Sequence, residues 1–147
     1  MPLLSANLII LCLEQKEFFL QSVCGLIIIA NPKTDLYNPN VIRSSVGGVF
    51  TVAVAMGTTK EVLDFLQAAK ANVYAAALQA SKPHTEVSYT GTTAIVVGTE
   101  ATGLEAIWLE QSNQNIRIPM RGKIDSMNVS VAAGILIFEA IRQRDIS

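Results

Sequence analysis

Cysteine and histidine are almost missing from this chain. Cys12 and Cys24 are not spaced as a C-x-x-C pair, and His84 is the sole histidine. A disulfide framework or a metal centre is therefore not expected. Charge is sparse as well: 16% of the 147 residues are charged and the formal net charge is -1. No global basic field draws in nucleic acid, so any such contact has to be local. Long apolar runs are absent too, none approaching the ~20 residues of a membrane span. The short run over residues 8–13 has no basic flank and is interrupted by Glu14, Lys16 and Glu17, unlike a signal segment. These absences lead to the expectation of a soluble, cytoplasmic protein with no metal and no membrane partner.

Half of the residues are hydrophobic, enough for one domain with a real core. Short β-branched runs alternate with helical patterns, which points to an α/β fold with a mainly parallel sheet and flanking helices. Residues 1–24 are the least legible. Residues 25–30 form an apolar run closed by Asn31-Pro32, hence a buried strand. Asn38 and Pro39 suit the start of a short helix over residues 39–45, with proline at the first position. Residues 51–56 read as a second strand. Thr58 and Glu61 then form a capping box before Val62, Leu63, Phe65, Leu66 and Ala69, whose helical spacing marks a core helix.

A third strand is expected over residues 72–77 and a loop over residues 79–93. His84, beside a proline in that polar loop, reads as solvated rather than catalytic. Residues 94–98 form the clearest strand, followed by the loop from Gly98 to Gly103 and a helix over 104–110. This strand-loop-helix corner is where open α/β sheets bind ligands. A last strand is expected over 115–119. Gly98 and Gly103 have the outer spacing of a phosphate loop, but Leu104 occupies the position of its lysine, and the G-x-G-x-x-G fingerprint is absent. Neither a P-loop nor a dinucleotide site is indicated.

The stretch from Gly122 to Gly134 organises the rest. A turn through Arg121, Gly122 and Lys123 leads to Ser126 and Asn128, either of which could cap a helix that is apolar on nearly every face and so is expected to be buried. Ser130, Ala132, Ala133 and Gly134 keep its first turns free of bulk, open to another backbone or a flat ligand. Read locally, an ordinary capped core helix and a ligand-binding helix mouth both fit.

Taken together, three segments resemble a known family. Val96-Val97-Gly98-Thr99-Glu100-Ala101-Thr102-Gly103-Leu104, Ile116-Arg117-Ile118-Pro119-Met120, and the Gly122 to Gly134 stretch with Ser126-Met127-Asn128-Val129-Ser130-Val131-Ala132 are similar, in order and spacing, to the last two signature motifs of the SpoU (TrmH) branch of the SPOUT methyltransferases. The segment from Asn38 to Gly47 is also similar to the one before the second strand of many members. The resemblance implies a domain over residues 25–147 with a C-terminal trefoil knot, preceded by a divergent segment, residues 1–24. It implies S-adenosylmethionine as cofactor, transfer of its methyl group to ribose 2′-hydroxyls of tRNA or rRNA, and a homodimer. By position it implies cofactor contacts at Gly98, Thr99, Glu100, Gly103, Ile118, Met120, Met127, Val129 and Ser130. Catalytic or supporting roles fall on Asn128, Ser126 and Glu100, and Arg43 is assigned to substrate contact or dimer geometry. The family's first motif carries an arginine before the strand equivalent to residues 25–30. This chain has none before Arg43, and Lys16 is the nearby cation. The alternative reading is therefore a catalytically impaired module of the same fold that still binds cofactor or RNA and dimerises.

Overall fold

The structure is a computed structural model and describes residues 7–12, 25–31, 53–79, 81–98, 103–122 and 127–146. Among these residues, seven strands form one sheet: β1 Asn7–Cys12, β2 Leu26–Ala30, β3 Val54–Gly57, β4 Asn72–Ala76, β5 Ser81–Pro83, β6 Thr93–Val97 and β7 Gln114–Arg117, in the spatial order β3-β2-β1-β6-β4-β7-β5. Three helices accompany them, α1 Thr59–Ala68, α2 Ala106–Gln111 and α3 Val129–Ile146. The pairs β2/β3, β4/β6, β4/β7 and β5/β7 are parallel, so the sheet is mainly parallel as expected. β1 runs antiparallel to both of its neighbours, β2 and β6. The segment hardest to read in the sequence thus holds a strand in the middle of the sheet.

Strand alternation divides the core into two layers. Ile9, Ile28, Val73, Ala94, Val96 and Trp108 pack with Val62 and Leu66 of α1 on one face. Ile10, Tyr74, Ile95, Val97 and Ile116 pack with Ala133, Leu136 and Ala140 of α3 on the other. β6 is buried along its whole length, because it is covered on both faces and hydrogen-bonded along both edges. This explains why its run of apolar residues was the clearest strand signal.

The capping box forms as the sequence predicts: Thr58 Oγ1 accepts from the Glu61 N–H at 3.2 Å, and the Glu61 carboxylate accepts from the Thr58 N–H at 2.8 Å. Asn31, at φ 51°, adds a second clamp. Its Nδ2 donates to Thr59 Oγ1 at 2.7 Å and its Oδ1 accepts from the Thr59 N–H at 3.1 Å, tying the end of β2 to the start of α1. Phe65 does not join the core. Thr59, Val62 and Leu66 are the buried residues of α1, and Phe65 lies outside the stripe they define.

Three expectations are corrected. Residues 79–93 are not mostly loop, since Ser81–Pro83 forms an edge strand on β7 and residues 84–86 a 3-10 turn. His84 is not simply solvated: it is half-buried, and its Nδ1 is buried with no hydrogen-bond partner. It packs beside α3, on a depression that Val131, Gly134, Phe138, Glu139 and Arg142 also line. Nor is α3 buried all round. Its first turns are apolar on nearly every side, yet Val131 is 53% and Phe138 72% exposed, because one sheet face can cover only the stripe containing Ala133, Leu136 and Ala140. Gly134 meets no atom within 4 Å of an added Cβ, so its missing side chain serves no close approach among the described residues of the protomer. The expected helix over 39–45 lies outside the described residues.

Glu139, at 9% exposure, is the buried acid of α3. Its carboxylate accepts two hydrogen bonds from Arg142, at 2.9 and 2.8 Å, and one from Gln143 at 2.8 Å. The Arg142 hydrogen bonds, opposed by burial and helped by Gln143, hold its pKa down to about 2. A depressed carboxylate pKa stabilises the fold above the unfolded-state value of about 4.3 and loses that contribution as pH falls through the folded-state value. Urea unfolding should therefore show the wild type losing stability between those two pH values. Glu139→Gln should start less stable at neutral pH and fall less steeply, and parallel pH profiles would refute the assignment.

Candidate functional site

β4, β6 and β7 point the same way, so their C-terminal ends converge at one edge of the sheet, the place where open α/β sheets hold ligands. A cavity of about 460 Å³ opens there, within the range of about 300–1,000 Å³ usual for small-molecule sites. Its floor is Val97 and Ile116, and the first turns of α3 close one side through Val129, Ala132 and Leu136.

Six residues expected to hold the cofactor line this cavity: Gly98, Gly103, Ile118, Met120, Met127 and Val129. They come from three segments far apart in the chain, and the sheet brings them together. Ser130 and Asn128 sit beside the cavity rather than on its wall, both on the exposed side of the α3 start. Asn128 caps that helix: its Oδ1 accepts from the Ser130 N–H at 2.9 Å, and its carbonyl accepts from Ala132. Thr99, Glu100, Ser126 and Arg43 lie outside the described residues.

Gly98 shows why this corner needs glycine. A Cβ there would stand 2.4 Å from the Gly103 carbonyl carbon and 2.5 Å from the Leu104 nitrogen. Two backbone segments touch at this point, leaving no room for any side chain. Gly103 is at φ 67°, a left-handed conformation that glycine adopts without strain. The two glycines set the geometry of the ends of the 98–103 loop at the cavity.

Sequence reasoning missed part of the wall. Ala76 ends β4 at the cavity, Ala77, Leu78 and Gln79 continue from it, and Arg117 ends β7 there. The available signal was that a parallel strand contributes its C-terminal end to such a site. It could have been applied to the predicted third and last strands as it was to residues 94–98. Leu78 and Met120 are both exposed apolar side chains at this cavity. The wall is largely aliphatic, and Arg117 is the one charged residue among its described members.

Comparison with known proteins agrees with this geometry. Over 112 residues the chain is 32% identical to the 23S rRNA (guanosine(2553)-2′-O)-methyltransferase RlmP of Bacillus subtilis, an alignment covering 76% of this chain and 45% of that protein. The crystal structure of an RNA 2′-O ribose methyltransferase superposes with a TM-score of 0.75 at 40% identity, covering 82% of this chain and 46% of the other. The SpoU methyltransferase AviRb from Streptomyces viridochromogenes, in complex with the cofactor AdoMet, superposes with a TM-score of 0.74 at 27% identity, covering 82% of this chain and 50% of the other. This chain thus spans about half the length of the relatives it matches. Residues 21–138 match the SpoU rRNA Methylase family, a span that includes both glycines of the loop, the cavity and most of α3, and the chain belongs to that family.

Proposed function

We propose that this chain is an S-adenosylmethionine-dependent methyltransferase acting on ribose 2′-hydroxyls of tRNA or rRNA. The observation that carries the reading is the cavity itself, where six of the expected cofactor residues meet at the C-terminal strand ends. The site fits the cofactor on three grounds. Its volume suits a small molecule, its aliphatic walls suit a flat heteroaromatic ring, and the backbone contact at Gly98 leaves the loop ends bare of side chains. Gly98, Gly103, Ile118, Met120, Met127 and Val129 would hold it, with Thr99, Glu100 and Ser130 at the rim by position. When bound, the cofactor supplies an activated methyl group. The protein's task is then to align the hydroxyl and help remove its proton. Asn128 supports that arrangement by fixing the start of α3 beside the cavity, and Ser126, Glu100 and Arg43 keep their assigned roles. In this reading residues 25–147 are the methyltransferase domain with its trefoil knot, and residues 1–24 are a divergent segment that adds β1 to the sheet. Action on cellular RNA would place it in the cytoplasm; among the described residues no helix is long and apolar enough to cross a membrane.

A second copy of the chain is the proposed partner of the exposed face of α3. Val131 and Phe138 stand out on that face, Ile135 is half-buried, and Gly134 between them has open space where a side chain would be. A mid-helix glycine costs roughly 0.5–1 kcal/mol relative to alanine, a cost that close helix approach across a dimer would offset. Phe138→Lys should convert the dimer to a folded monomer in light scattering; an unchanged mass would move the interface elsewhere.

One feature favours the alternative, a dimeric module that binds without transferring: residues 7–20 contain no arginine where the family's first motif would have one. Calorimetric titration with S-adenosylmethionine, followed by bulk rRNA and labelled methyl donor, separates the readings. Binding with transfer supports the enzyme. Binding without transfer supports the module, and folded protein that binds neither S-adenosylmethionine nor rRNA overturns both.

A further inference from the structure

The cavity wall carries one charge among its described residues. Arg117 is the last residue of β7, opposite Pro83 of the edge strand β5. Its Nη1 donates to the Ser81 carbonyl and, at 3.3 Å, to Ser81 Oγ. These bonds anchor the guanidinium at the sheet edge beside the cavity. A guanidinium has five N–H donors in a rigid fork. Nε and Nη2 make no hydrogen bond to any described residue, and Arg117 is half-buried at the cavity. Together they form the side-on pair of donors that matches a carboxylate bidentately.

A largely aliphatic wall with one anchored, planar cation is complementary to a ligand with an apolar body and a single oxyanion. We propose that Arg117 is a specificity-determining residue of this cavity, binding the α-carboxylate of the amino-acid portion of S-adenosylmethionine through Nε and Nη2. The inference rests on the cofactor reading above. It explains why β5, a strand of three residues, is paired to β7 at this point: Ser81 holds Nη1 and leaves the other two donors for the ligand. An RNA phosphate offers the same oxyanion chemistry, and the test distinguishes the two sources.

Two ligands differing in the amino-acid portion are compared by calorimetry on the full chain: S-adenosylhomocysteine, and 5′-methylthioadenosine, which keeps the adenine, ribose and thioether but has no carboxylate. Arg117→Met should weaken S-adenosylhomocysteine about tenfold to a hundredfold, the effect of losing a charge-assisted pair, and leave 5′-methylthioadenosine within about twofold. Arg117→Lys, a point charge without the fork, should fall between. Equal losses for both ligands would mean that Arg117 merely braces the edge through Ser81, overturning the proposal. Unchanged affinity for both with weakened RNA binding would assign the oxyanion to phosphate and overturn it as well. If wild type binds neither ligand, the cofactor reading falls and takes this one with it; if wild type binds and Arg117→Met is unaltered, this inference alone fails.

Discussion

Gly98→Ala should abolish cofactor binding and lower stability by about 2–3 kcal/mol, the upper part of the range for overpacking. The added Cβ would meet the Gly103 carbonyl carbon at 2.4 Å, the Leu104 nitrogen at 2.5 Å and the Gly103 oxygen at 2.6 Å. All three are backbone atoms, so no rotamer change relieves the clash. The chain has to move apart at the contact that joins the end of β6 to the approach of α2, and the cavity wall moves with it. Thermal unfolding and calorimetric titration with S-adenosylmethionine would read both effects. Gly134→Ala is the matched control: its Cβ meets nothing within 4 Å, so the protomer should gain about 0.5–1 kcal/mol from helix propensity. Equal tolerance at the two positions would mean that the Gly98 to Gly103 contact is not needed for the site.

Arg144→Ala should be the most destabilising change on the last turns of α3, at about 3–4 kcal/mol, the range for several charge-assisted hydrogen bonds lost to partly buried carbonyls. Nε donates to the Tyr89 carbonyl at 3.0 Å, and Nη2 donates to the carbonyls of Cys12 and Gly91, the former at 3.2 Å. One side chain thus binds the end of β1 and the segment before β6 to the C-terminal helix. Gln143 works alongside it: Nε2 donates to the Val87 carbonyl and Oε1 accepts from the Tyr89 N–H, each at 3.0 Å. Beneath them, Tyr89 and Tyr74 meet edge to face with centroids 5.4 Å apart, and Tyr89 donates its hydroxyl to the His84 carbonyl at 2.9 Å. Burial pushes the Tyr89 phenol above its usual pKa, so the hydroxyl stays a donor. Lysine at position 144 should recover only part of the loss, since it lacks the fork that spans separate carbonyls. Urea unfolding of Arg144→Ala, Arg144→Lys and wild type gives the comparison, and a change below about 1 kcal/mol for the alanine variant would show that the clamp contributes little.

The legible parts of the fold share a local cause. The Thr58 to Glu61 capping box formed because both partners lie within one turn, and β6 was evident because burial on both faces leaves an uninterrupted apolar run. A cap at the start of α3 was legible for the same local reason, but only as a choice between Ser126 and Asn128, and the structure has Asn128 making the bond. β1 was not, since an apolar run beside Glu14 and Lys16 has no local feature that states whether it enters a sheet or in which direction. β5 was missed because three residues containing a proline carry little strand signal; their place is set by pairing with β7, more than 30 residues away. The exposure of α3 was misread for a related reason. A helix apolar on nearly every face looks buried, but which stripe meets the sheet depends on packing, and Val131 and Phe138 fall on the side left open.

What the sequence by itself determined was the α/β class, most of the parallel strands, the capping box of α1, and the spaced residues that mark the family. Each depends on neighbours along the chain or on residue types at fixed spacing. What only the tertiary structure decided was their convergence. The C-terminal ends of β4, β6 and β7 meet because the strands are parallel and adjacent, which assembles the cavity from segments far apart in the chain. It also placed Arg117 on that cavity and Arg144 across three separate carbonyls. Local propensity acts over a few residues, whereas a binding wall and a clamp are set by contacts between residues tens of positions apart, and those exist only once the sheet has chosen its strand order.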